Sequence, residues 1–152
     1  MSLPDDAAEA RAQGWRTLAA LHARIEDRVE RALQAEHDLS VNEYCALHLL
    51  SRQEDWHMRM QQLANAMVLS QSATTRLVTR LEKRGLLRRY LCEDDRRGIY
   101  TEVTEEGGAL LAKATPTHNA ALETALADAA ALPELAPLVR ALETLPNLTP
   151  TT

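Results

Sequence analysis

The sequence predicts a mainly α-helical fold that carries one small β-hairpin, and three observations predict it. Of 152 residues, 45% are apolar but only 3% are aromatic and none is Phe, so the core is built from Leu, Ala, Val and Met, a composition that favours helices over a sheet sandwich. Apolar residues recur at helical spacing, with Ser or Thr where helices would start. Ile99, Thr101 and Val103 alternate with Tyr100 and Glu102, which marks a strand, and Leu86 to Cys92 reads as its neighbour. The length suits one buried core and leaves no room for a second catalytic domain, so residues 1–152 are expected to form one domain.

Leu18, Leu21, Ile25, Val29 and Ala32 predict a long amphipathic helix from about Ala7 to Ala35. Ser40 and Glu43 form a capping-box pattern, with Leu39 and Tyr44 spaced as a hydrophobic staple, so a second helix begins there and runs to about Ser51. His57 to Met60 reads as a short edge strand and Gln61 to Met67 as a short helix. Val68-Leu69 is its exit, Ser70 the N-cap of the next helix and Gly85 its stop. Two helices joined by so tight a turn form a helix-turn-helix pattern. The strands Leu86–Cys92 and Ile99–Val103 flank a charged tip, 93–98. Thr104, followed by Glu105 and Glu106, caps another helix, which Pro116 is expected to kink or break. A restart at Leu132-Pro133-Glu134, with Pro133 in the first turn, leads to a last helix ending at Pro146.

The net charge of −5 is unevenly distributed. Ser70 to Tyr100 holds eight basic and four acidic residues, a balance of +4, which leaves −9 on the remainder. One basic module therefore sits in an acidic frame, the pattern of a polyanion-binding segment. No apolar run approaches the roughly 20 residues that cross a bilayer, and the start lacks a basic and then apolar leader, so a cytoplasmic protein without a membrane partner is expected. Cys45 and Cys92 lack metal-ligand spacing and read as isolated thiols.

Within the helix after Ser70, Ala73, Leu77, Val78 and Leu81 share one face. Gln71, Thr75, Arg76, Thr79, Arg80 and Lys83 lie mostly on another, with Ser72 and Thr74 near the edges. Such a face suits a major groove, where Gln pairs with adenine and Arg with guanine or phosphate. A solvated surface helix is the plainer reading of any polar helix, but it weakens when a basic hairpin follows. At the hairpin tip, Arg96 and Arg97 suit a narrow minor groove, with Asp95 orienting one guanidinium. The candidate DNA-binding residues are Ser70, Gln71, Ser72, Thr74, Thr75, Arg76 and Arg80 in the helix, and Asp95, Arg96 and Arg97 in the hairpin.

The ordered set Leu69–Val78, Arg80–Leu87, Asp95-Arg96-Arg97 and Val103–Gly107 resembles the MarR family of winged helix-turn-helix transcriptional regulators. The resemblance implies a winged helix-turn-helix lobe at about 39–103, with helices at about 7–36 and 104–146 joining two protomers. It also implies a homodimer on double-stranded DNA, acting as a ligand-responsive repressor at a pseudo-palindromic operator. The family departs from this chain at Met60, where a capping Ser or Thr is common, and at Pro116, where the helix is often continuous. A small aromatic or anionic effector is implied without identity. Trp15, His22, Tyr44 and His48 lie on the first two helices; each reads more simply as a core, interface or surface residue than as a ligand contact.

No nucleophile elbow, phosphate loop, zinc pair or framed carboxylate pair is present, so neither an enzyme, a cofactor nor a metal site is expected. The competing reading is a winged-helix protein-interaction module without specific DNA binding. Retention of Arg76, Arg80, Arg96 and Arg97 favours DNA.

Overall fold

The computed structural model describes residues 3–92 and 95–146, with side chains from 6 to 92 and from 98 to 146. The chain divides into two compact units, Met1–Arg31 with Asn119–Thr152, and Ala32–His118. Helix α1 (Leu3–His37) begins earlier than its apolar period indicates, because Pro4, Asp5 and Asp6 suit a first turn by fixed φ and by charge. It ends at Asp38, whose φ of 53° lies in the left-handed region that Asp tolerates better than most residues.

In the unit Ala32–His118, helix α2 (Val41–Ser51) starts as its capping box requires. Ser40 Oγ accepts from the Glu43 amide at 3.0 Å, and Glu43 Oε1 accepts from the Ser40 amide at 2.8 Å. A short 3-10 turn, Glu54–Trp56, leads into strand β1 (His57–Arg59) and helix α3 (Met60–Met67). Met60 is thus the first helical residue and Arg59 the cap. Without a Ser or Thr hydroxyl, Gln62 Oε1 reaches back to the Arg59 amide at 3.1 Å and satisfies one end of the box. Helix α4 (Gln71–Lys83) follows after a turn in which Val68 takes a left-handed φ of 55° and is 90% exposed.

Strands β2 (Leu87–Cys92) and β3 (Asp95–Val103) form the hairpin, and β1 adds to its open edge, giving an antiparallel sheet in the order β1-β3-β2. The hairpin is longer than expected: residues 95–98, read as tip from their turn chemistry, already belong to β3. Cys92 pairs with Asp95 across a register shift next to Leu91, and this cross-strand pairing overrides local turn preference. Leu33, Leu39, Leu47, Leu50, Leu63, Leu77, Val78, Leu81 and Leu87 are all buried and form the core of this unit.

Helix α5 (Glu105–Ala130) passes through Pro116 without ending. The missing Pro116 amide deprives only the Ala112 carbonyl of its partner. Both residues are exposed, so that carbonyl is open to solvent, and the helix is not broken there. In the other unit, helix α6 (Ala136–Thr144) starts three residues after Pro133, which lies in the preceding turn; Pro137 is the proline of its first turn. Leu21, Ala129, Leu135 and Val139 pack there with Ile25, Leu126, Leu132 and Leu138 around them. No helix among the described residues is long and apolar enough to cross a membrane.

The join between α4, β2 and α5 constrains one glycine sharply. A Cβ on Gly107 would lie 2.1 Å from the Leu86 carbonyl oxygen, whereas one on Gly14, within α1, would meet nothing within 4 Å. Gly107→Ala is expected to lower stability by about 2 kcal/mol or more. Gly14→Ala is expected to raise it by about 0.5–1 kcal/mol. Val68→Asn, which relieves a β-branched residue at positive φ, should add about 1 kcal/mol. Thermal and urea unfolding of the three variants checks all three signs.

Candidate nucleic-acid interface

The N-terminus of α4 is held by Ser70, whose Oγ accepts from the Ala73 amide at 3.1 Å and lies 3.2 Å from Ser72 Oγ. Along the helix, Thr74, Leu77, Val78 and Leu81 face inward, while Gln71, Ser72, Thr75, Arg76, Arg80 and Lys83 are exposed. Thr74 is the exception to the expected exposed set. It is 1% exposed and its hydroxyl donates to the Ser70 carbonyl at 2.9 Å, so it belongs to the packed side of α4. The Thr75 hydroxyl donates to the Gln71 carbonyl at 2.9 Å but remains at the surface, free to accept.

The basic residues sort into two groups that their spacing alone does not reveal. Arg84 donates to the Asp38 carbonyl at 2.6 Å and lies 3.8 Å from the Glu43 carboxylate. Arg88 pairs with Glu102 and sits over the Tyr90 ring, 5.8 Å from its centroid. Arg89 engages both Glu82 and Thr79 of α4. These three guanidiniums are satisfied within the fold. The side chains of Arg76, Arg80 and Lys83 form no hydrogen bond or ion pair with any described residue, and all three are exposed. Among the described residues, uncompensated positive charge is therefore concentrated on the outer side of α4, where a polyanion gains from it.

A cleft of about 240 Å³ opens beside the start of α4, lined by Arg59, Gln61, Gln71, Thr75 and Ile99, among others. Arg59 donates from Nε to the Tyr100 hydroxyl at 3.0 Å, with its guanidinium carbon 5.6 Å from the ring centroid. The sequence placed Lys83 on the polar face of the helix without counting it among the candidates, and it did not single out Arg59 or Gln61. Lys83 was legible from its helical spacing to Arg76 and Arg80. Arg59 and Gln61 become neighbours of Gln71 only through folding. Asp95, Arg96 and Arg97 lie in β3, but their side chains fall outside the described residues.

The other residues singled out separate as well. Tyr44 is buried, its hydroxyl donating to Thr115 Oγ1 at 3.2 Å. Its ring stacks on His118 at 4.3 Å and lies 5.9 Å from His48. Burial, then Arg52 and His118, holds the His48 imidazole below the usual histidine range. His22 is exposed beside Glu26 at 3.7 Å, and Trp15 is 69% exposed, which removes it from the core. Cys45 and Cys92 are free thiols.

A helix-turn-helix whose second helix presents exposed cations, followed by a three-stranded wing, agrees with a family profile described as MarR family over residues 37–98. AbsC, a MarR family transcriptional regulator from Streptomyces coelicolor, is 33% identical, with 94% of this chain and 92% of that one covered and a TM-score of 0.72. The chain belongs to the MarR family. Sco3205, a MarR family regulator from Streptomyces coelicolor solved in complex with DNA, is 29% identical with a TM-score of 0.74, covering 90% of this chain and 84% of that one. CouR from Rhodococcus jostii RHA1, solved bound to p-coumaroyl-CoA, is 33% identical with a TM-score of 0.63, covering 68% and 71%. Among curated regulators matched by sequence, the chain spans 60% of the length of one and 71% of another. Membership of the MarR family places the chain among DNA-binding transcription regulators and not among enzymes.

Proposed function

We propose that the chain is a sequence-specific transcriptional repressor that binds a pseudo-palindromic operator as a homodimer and releases it when a small aromatic or anionic effector binds. The observation that carries this reading is the outer side of α4. There Gln71, Ser72 and Thr75 offer hydrogen bonds near the helix start, and Arg76 and Arg80 carry charge that no described residue neutralises. Gln71 and Arg76 are assigned to base edges, and Arg80 to base or phosphate. Ser70 and Thr74 support them, the first by capping α4 and the second by tying its side chain to the Ser70 carbonyl. Asp95, Arg96 and Arg97 are assigned to the wing contact, with a minor-groove Arg oriented by the carboxylate.

Two protomers would place two copies of α4 in successive major grooves, roughly 34 Å apart. In the unit built from the chain ends, Trp15, Leu18, Leu142 and Leu145 are exposed although apolar, which supports burial against a second copy. The effector acts by binding two arrangements of the dimer unequally, since equal binding shifts nothing.

Selection from random duplex DNA at two salt concentrations, with a parallel mass measurement, tests the reading. A dimer enriching a palindrome is expected; weak binding without enrichment would instead favour an interaction module. Gln71→Ala and Arg76→Ala should each relax preference at one operator position, at a cost of about 1–3 kcal/mol. Arg80→Ala should flatten the salt dependence if Arg80 neutralises a phosphate. Trp15→Glu is expected to weaken self-association by about 30-fold or more in sedimentation equilibrium.

A further inference from the structure

Arg89 lies in the basic segment yet points its charge into the protein. Its Nε and Nη2 donate to the Glu82 carboxylate at 3.3 and 3.0 Å, its own backbone amide donates to Glu82 Oε2 at 3.1 Å, and Nη2 also donates to Thr79 Oγ1 at 3.1 Å. One planar guanidinium thus grips two residues three apart on the same side of α4. In the sheet, Arg89 pairs with Thr101, which pairs in turn with Met58; Thr101 is fully buried, so this row lies on the covered face of the wing. The Arg89 hydrogen bonds hold the Glu82 carboxyl below the usual carboxylate range, so the grip persists across the neutral pH range.

We propose that Arg89 is a positioning residue for DNA recognition, which fixes the rotation of α4 against the wing through Glu82 and Thr79 and so sets where Arg76 and Arg80 aim. Arg76 stands one turn before Thr79, and Arg80 directly follows it, so any rotation at the grip is passed to both. With side chains reaching about 5–6 Å from a helix axis, a rotation of about 10° moves their tips by about 1 Å. That displacement is enough to spoil a hydrogen bond to a base edge while leaving long-range attraction to phosphates intact. The backbone join at Gly85 limits how far α4 can tilt but leaves this smaller rotation to the side-chain grip.

The inference rests on the operator reading above, so the test measures both. Affinity is determined for the selected duplex and for a scrambled duplex over a salt series, using wild type, Arg89→Ala, Glu82→Gln and the double variant, with thermal unfolding alongside. Expected are a fall of about tenfold in the ratio of specific to scrambled affinity for Arg89→Ala, about one misplaced base contact, and a smaller fall for Glu82→Gln. The double variant should be no worse than Arg89→Ala alone, and the salt slope on scrambled DNA should not change. If Arg89→Ala unfolds, the near-isosteric Glu82→Gln still reads the ratio. A flatter salt slope for Arg89→Ala with Glu82→Gln unaffected would make Arg89 a phosphate ligand and overturn the proposal. An unchanged ratio in both variants, or equal losses on both duplexes that track melting temperature, would overturn it too. A wild type that does not discriminate between the duplexes would remove the operator reading, and this inference with it.

Discussion

The turn at Gly85 is where three elements of the winged lobe are tied to one another. Gly85 adopts φ +74°, and its amide and that of Leu86 return to the carbonyls of Glu82 and Leu81 at 2.9 Å each, closing α4 in a Schellman arrangement. The outward carbonyls of the same turn receive the next helix: the Thr104 amide donates to Leu86 at 3.1 Å and the Thr104 hydroxyl to Gly85 at 2.6 Å. Thr104 Oγ1 also accepts from the Gly107 amide at 3.1 Å, so one side chain both caps α5 and stitches it to the turn. Gly107 lies against this turn because it has no Cβ to collide with Leu86. The end of one helix, the start of a strand and the start of another helix therefore share a few backbone groups. Disturbing any of them changes the seat of α4.

On that seat the distribution of charge has two purposes. Arg84, Arg88 and Arg89 spend their hydrogen-bonding capacity on carbonyls, carboxylates and a hydroxyl of the fold, where geometry is shared and partly screened from water. The side chains of Arg76, Arg80 and Lys83 are exposed and engage no described residue. A chain with an overall charge of −5 can still attract a polyanion, because the acids lie mainly outside the basic segment and Glu82, within it, is already engaged by Arg89.

The sheet shows the same division between its faces. Tyr90 and Tyr100 are cross-strand partners with ring centroids 5.8 Å apart, and His57 lies 5.1 Å from Tyr100 and bonds to the Tyr90 hydroxyl. These rings cover the face opposite the Arg89 row; the Tyr90 hydroxyl pairs with His57, and the Tyr100 hydroxyl accepts from Arg59 Nε at 3.0 Å. Burial, with Glu102 close by, raises the Tyr90 hydroxyl above the usual phenol range, which keeps it a hydrogen-bonding neutral group.

Local chemistry was enough wherever an element depended on its own residues. Ser40 with Glu43, Ser70, Gly85 and Thr104 marked their helix boundaries because a cap acts within four residues, and the period of Leu77, Val78 and Leu81 marked the buried side of α4. The family followed from the order of those same residues. Distant pairing and solvent decided the rest. The early start of β3 depends on pairing with Cys92, the survival of α5 through Pro116 on the solvent exposure of Ala112, and the burial of Thr74 on the packing of α4. The sequence by itself determined the capped starts of α2, α4 and α5, the stop of α4 and which segment is basic. Only the tertiary structure decided which arginines are already bound, because a guanidinium's partner is set by proximity in space and not by position in the chain.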